Sequence, residues 1–292
     1  MRLVALSSSA TSMRLALAIP SATALFAVLL LNGCAATVPT TLSGRHMVDV
    51  GGRELAVEIE GEGPLTVVFE SGGGNDRSAW STVAPDVRRQ AGVRTMVYDR
   101  AGLGESGPAP RPYRIEDDTD ALRVALDGAG VRGDVILVAH SYGGYIASLL
   151  AESDPRVVGM VLVDASIPGD LDDATVERIL STYRPQYDQL RQMAPALAQR
   201  MIPMMEAYPA TVERTRRVAV SPSLPVIDMV AENTWGDTPE EQAATRRAHA
   251  AFVAASPARE AVLAEGSGHN VMQDRPDVVV DAVVRMVEQV RE

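Results

Sequence analysis

The sequence predicts an α/β fold: an eight-stranded, mostly parallel sheet flanked by helices, with a helical lid inserted after the sixth strand. Three observations carry this. From residue 45 onward, apolar runs of strand length alternate with longer runs of helical period, the pattern of a parallel sheet covered on both faces. Gly- and Pro-rich clusters punctuate the alternation. One stretch, 167–223, breaks it and offers only helical segments, interrupted by Pro185, Pro195, Pro203 and Pro209. With 292 residues, 46% of them apolar, the chain fills one sizeable core and leaves too little for a second full domain.

Taken in order, residues 45–50 and 53–59 flank Gly51-Gly52, a two-residue hairpin turn in which both positions tolerate positive φ. Residues 65–70 form a buried strand between Gly63-Pro64 and Gly72-Gly73-Gly74. A helix is expected over 78–90, a strand over 93–98, a helix over 115–129 and a short apolar strand over 135–139. Helix 142–152 and strand 157–163 follow. After the insertion come strand 225–230, helix 238–255, strand 260–264 and helix 276–290. Met193, Met201, Met204 and Met205 fall in the insertion, where they pack it onto the core or line an adaptable apolar pocket.

The N-terminus reads differently. Arg14 precedes a largely apolar run over 15–31, then Leu31-Asn32-Gly33-Cys34. A basic start, an apolar stretch and small residues before a cut make a secretory signal, and Cys34 directly after the cut resembles a bacterial lipoprotein lipobox. The division is then a signal over 1–33, a Thr/Pro-containing tether over 34–44 and one folded domain over 45–292. Met13 is an alternative start to Met1. The expected location is the cell envelope, with lipid on Cys34 as the membrane anchor, or secretion without it. As the single cysteine, Cys34 excludes an intrachain disulfide.

Composition narrows the partners. The net charge is −11, all 27 basic residues are Arg, and the carboxylates are scattered, so the basic footprint that nucleic acid requires is missing. Four dispersed His and one Cys give no metal-ligand spacing. Gly72-Gly73-Gly74 lacks the following Gly-Lys-Ser/Thr of a phosphate loop. Neither cofactor nor metal is called for.

The chemistry centres on Val135-Ile136-Leu137-Val138-Ala139-His140-Ser141-Tyr142-Gly143-Gly144. A strand runs into a turn at Ser141 and a helix starts at once, which lifts the hydroxyl above the sheet edge. The backbone turns too tightly for bulk two places either side of Ser141, and Ala139 and Gly143 stand there. Ser141 as a plain helix N-cap would need neither the apolar strand nor the His-Ser-x-Gly-Gly context. With this stretch, Glu70-Ser71-Gly72-Gly73-Gly74, Asp99-Arg100-Ala101-Gly102-Leu103-Gly104-Glu105-Ser106 and Gly266-Ser267-Gly268-His269-Asn270, the chain resembles the α/β-hydrolase superfamily, serine branch, over nearly all of 45–292.

The resemblance implies Ser141 as nucleophile, His269 as its base, and the backbone N–H groups of Gly73 and Tyr142 as the oxyanion hole. The Asp99–Ser106 turn reads as structural, as do His46, His140 and His249. The triad acid is open. Where the family most often has an Asp, after the seventh strand, the run is Ala231-Glu232-Asn233-Thr234; some branches use the end of strand six, where Asp164 stands. Asp164 is preferred, with Glu232 as runner-up and Asp237 behind both. The implied activity is hydrolysis of a small-molecule carboxylic ester or related acyl bond through an acyl-enzyme. A serine nucleophile argues against the dehalogenase and epoxide hydrolase branches, which use a carboxylate. The alternatives are a weak or inactive binding module on the same fold, or a C–C bond hydrolase or aminopeptidase with the same triad.

Overall fold

A computed structural model describes residues 42–292. The signal, Cys34 and most of the tether lie outside the described residues. In chain order the elements are β1 (Gly44–Asp49), β2 (Glu54–Glu60), β3 (Thr66–Glu70), α1 (Val83–Ala91), β4 (Arg94–Tyr98), α2 (Ile115–Gly128), β5 (Val135–His140), α3 (Gly143–Ser153) and β6 (Val157–Val163). Four helices follow: α4 (Asp173–Tyr183), α5 (Tyr187–Met193), α6 (Pro195–Glu206) and α7 (Tyr208–Thr215). The chain then completes β7 (Val226–Asn233), α8 (Pro239–Ala254), β8 (Arg259–Gly268), α9 (Val271–Asp274) and α10 (Pro276–Arg291).

The eight strands form one sheet in the order β1-β2-β4-β3-β5-β6-β7-β8. Only β2 runs against its neighbours; every pairing from β4 to β8 is parallel. The β1–β2 hairpin closes at Gly51 and Gly52, with φ of 90° and 82°, as the Gly-Gly pair requires. Strand β5 is buried along its whole length because helices cover both faces of the sheet. One layer holds Leu122, Tyr145 and Ile146; the other holds Trp80, Val283 and Met286.

Two boundaries differ from expectation. The single helix expected over 78–90 is a 3-10 turn, Arg77–Trp80, followed by α1. Pro85 has no N–H to give to a continuing helix, so α1 begins just before it, where that loss costs nothing. Strands β7 and β8 run to Asn233 and Gly268, past the predicted ends, across an irregularity between Ala231 and Asn233.

Helices α4–α7 occupy the predicted insertion. It is tied to the core by a buried ion pair, because Arg200 of α6 donates to Asp118 of α2, and both are buried. The Arg200 guanidinium also lies 4.8 Å above the Tyr113 ring, and the Tyr113 hydroxyl donates to Asp118 at 2.9 Å. Removing one member of such a pair leaves an uncompensated buried charge. Among the described residues, no helix is long and apolar enough to cross a membrane.

Candidate active site

Parallel strands bring their C-terminal ends to one edge of the sheet, and loops from that edge converge there. Ser141 follows β5, Asp164 follows β6, and His269 follows β8. Ser141 and Asp164 are the two non-glycine residues with positive φ among the described residues, 52° and 43°. Backbone conformations this uncommon persist only where surrounding contacts impose them. At Asp164 those contacts are visible: its N–H donates to Met229 O at 2.7 Å.

The three side chains form a hydrogen-bonded line. His269 Nε2 lies 3.0 Å from Ser141 Oγ, and Nδ1 lies 2.6 Å from Asp164 Oδ2. A carboxylate only accepts, so Nδ1 carries the proton and Nε2 presents its lone pair to the serine hydroxyl. Asp164 Oδ1 also accepts from Ala231 N at 2.9 Å and from Thr234 Oγ1 at 2.6 Å. Burial alone would push the Asp164 carboxyl up, but the hydrogen bonds from His269, Thr234 and Ala231 outweigh it and hold the group below the ordinary aspartate range. Thr234, at the position where the resemblance most often has the acid, instead donates to Asp164 at the end of β6.

Glu232 does not meet His269. Its Oε2 accepts from Gly266 N at 2.6 Å, bracing the end of β8 from the exposed side. Asp237 N donates to Glu241 Oε2 at 2.6 Å at the start of α8, and its side chain joins no part of the line.

Gly73 and Tyr142 both border the space in front of Ser141. The loop after β3 passes so close that a Cβ on Gly72 would lie 2.9 Å from His140 Nδ1 and 3.3 Å from Ser141 Cβ. What holds this loop was not read from sequence. The buried Arg100 guanidinium donates to the carbonyls of Ser71, Gly72 and, at 3.1 Å, Gly73, and pairs with buried Glu70. With the carbonyls turned toward Arg100, the loop's other face is left to the cavity. The available signal was a charged Asp-Arg pair directly after an apolar strand, which is costly to bury without partners. The rest of that turn is structural as predicted: Asp99 Oδ2 accepts from Glu105 N at 2.9 Å, and Ser106 Oγ donates to Asp99 O at 2.7 Å.

His140 is buried beneath the turn. Its Nε2 donates to His269 O at 2.9 Å, while its Nδ1 has no partner. Burial, followed by the neighbouring His269, lowers its pKa to about 3, so it stays neutral and serves as a strut for the His269 loop.

The site opens on a cavity of about 700 Å³ between the sheet edge and the insertion. Met201, Met204, Met205, Leu190 and Leu197 make much of its wall, so methionines of the insertion line the pocket as well as pack it. His249, read from sequence as structural, also lines this cavity. Among the described residues, no group of three or more His, Cys, Asp or Glu has the arrangement to hold a metal ion.

The chain belongs to the alpha/beta hydrolase family, whose model matches residues 67–282. A curated relative, the uncharacterized protein YqjL of Bacillus subtilis, is 33% identical over 109 residues, 37% of this chain and 42% of that one. The chain spans less than half the length of the curated relatives it matches. Among solved structures, haloalkane dehalogenase DbeA from Bradyrhizobium elkani superposes with a TM-score of 0.68 at 18% identity, covering 85% of this chain and 98% of that one. A thermophilic esterase from Thermogutta terrifontis gives 0.60 at 22% identity, covering 86% and 100%. At these identities the structures share the fold.

Proposed function

We propose that this chain is a serine hydrolase that cleaves a carboxylic ester or related acyl bond through an acyl-enzyme. The observation that carries the reading is the continuous line Ser141–His269–Asp164, at 3.0 and 2.6 Å, opening on a cavity with a largely apolar wall. Ser141 Oγ attacks the carbonyl carbon as its proton passes to His269 Nε2. The backbone N–H groups of Gly73 and Tyr142 hold the carbonyl oxygen as it becomes negative, while ionised Asp164 stabilises the imidazolium. His269 returns the proton to the departing alcohol, then activates the water that releases the acid. The insertion acts as a lid whose methionines accept the apolar part of the ester.

The test is hydrolysis of short and medium p-nitrophenyl esters by the native protein and by Ser141→Ala. Turnover by the native protein, lowered on the order of 10⁴-fold or more in the variant, is expected. Equal rates for both would end the reading. The apolar run before Cys34 supports a second part of the proposal: export, with lipid attached at Cys34. Mass spectrometry of the mature N-terminal peptide reads this directly, and an unmodified Cys34 in the envelope fraction would refute it.

A further inference from the structure

The wall of the cavity contributed by α8 carries polar groups that the reaction above does not use. His249 is the one buried residue of α8, 3% exposed, at a position where an aliphatic side chain would pack at no polar cost. Its Nδ1 lies 2.9 Å from both oxygens of Asp228 on β7, itself 1% exposed. Nδ1 therefore holds a proton, and Nε2, the ring's other polar atom, has no hydrogen-bond partner among the described residues. His249 lines the same cavity as Ser141, together with Asp170 and Thr245. Asp170 is held by the Tyr145 hydroxyl on Oδ1 at 2.6 Å and by Ile167 N on Oδ2 at 3.2 Å.

We propose that His249 and Asp170 recognise a hydroxyl group on the otherwise apolar substrate, an inference that rests on the hydrolase reading and names its substrate class as a hydroxy ester. The hydroxyl accepts from His249 Nε2–H and donates to the Asp170 carboxylate. A substrate carboxylate would enter a cavity that already holds Asp164 and Asp170, whereas a neutral hydroxyl meets neither repulsion. Burial would lower the His249 pKa, but the hydrogen bond and charge of Asp228 outweigh it and raise the group, which favours the donor form. A purely apolar substrate would seal Nε2 away from water without a partner, which works against its binding.

The test uses the full chain carrying Ser141→Ala, which binds without turnover, titrated calorimetrically with methyl hexanoate and with methyl hydroxyhexanoates bearing the hydroxyl at the third, fifth or terminal carbon. One hydroxy ester is expected to bind roughly tenfold or more tighter than the plain ester. Adding His249→Phe, or Asp170→Asn where His249→Phe does not fold, is expected to remove most of that preference. Equal affinity for the plain ester and every hydroxy ester, or a preference that survives both substitutions, overturns the proposal. Hydrolysis of methyl hexanoate by the native protein separates the two readings. Turnover without hydroxyl preference overturns this inference alone, and hydroxyl preference in a native protein without turnover overturns the hydrolase reading alone.

Discussion

Two histidines line one cavity, and each has a buried aspartate behind its Nδ1: His269 with Asp164, and His249 with Asp228. The His269 side chain is 29% exposed, and its Nε2 meets the hydroxyl of Ser141 on a strained turn. The His249 side chain is 4% exposed, and its Nε2 has no hydrogen-bond partner among the described residues. An aspartate–histidine pair therefore does not define a catalytic site. The difference lies in what faces Nε2, and in the support given to the acid. Asp164 accepts from Ala231, Thr234, Trp235 and His269, so its charge is held by a fixed set of donors.

Exchanging the acids one at a time sharpens this contrast. Asp164→Asn is expected to lower kcat on ester substrates on the order of 10³- to 10⁴-fold, since an amide can present its N–H to Nδ1 and favour the wrong tautomer. Steady-state kinetics with the fold checked by circular dichroism would measure it. Asp228→Asn should instead appear mainly as lost stability, about 1–3 kcal/mol in urea unfolding, as a charge-assisted buried hydrogen bond is weakened. The loss has a pH signature. Because the folded His249 pKa is raised, the stability this pair contributes is complete below the ordinary histidine range and falls as pH rises through the folded value, and Asp228→Asn removes that slope. A kcat collapse in Asp228→Asn as deep as in Asp164→Asn would erase the distinction between the pairs.

Asp170 supplies a second pH signature of similar form. Burial raises its pKa from 3.8 to about 6, against the Tyr145 hydrogen bond that lowers it. The folded state then binds the proton more tightly than the unfolded chain, so stability falls as pH rises from about 4 to about 6. Asp170→Asn should flatten the unfolding profile across that window, by on the order of 3 kcal/mol. The smallest effect is expected at Glu232→Gln. An amide oxygen still accepts from Gly266 N, so kcat should stay within about twofold, and a larger drop would return Glu232 to the account.

The fold was legible because the parallel strands are buried on both faces and read as unbroken apolar runs; β5 is the clearest case. The strand-to-helix turn around Ser141 was legible for the same reason, being local in sequence. His269 and Asp164 were named through the family resemblance, but which side chains actually meet was not legible. Asp164 and His269 are 105 residues apart, Arg200 and Asp118 are 82 apart, and His249 meets Asp228 only because α8 packs back on β7. Nothing in local periodicity encodes such meetings. Thr234 stood where an acid was sought, and only the approach of β6 to the chain after β7 reveals that its hydroxyl binds Asp164. His249 looked structural because an amphipathic helix gives no indication of which buried residue also borders a cavity.

The most direct test of the central claim is covalent labelling of the native protein with a fluorophosphonate, followed by peptide mass spectrometry. The account predicts a single adduct on Ser141, abolished by Ser141→Ala and strongly slowed by Asp164→Asn. A native protein that takes up no label, or that takes it up at another residue, would contradict it.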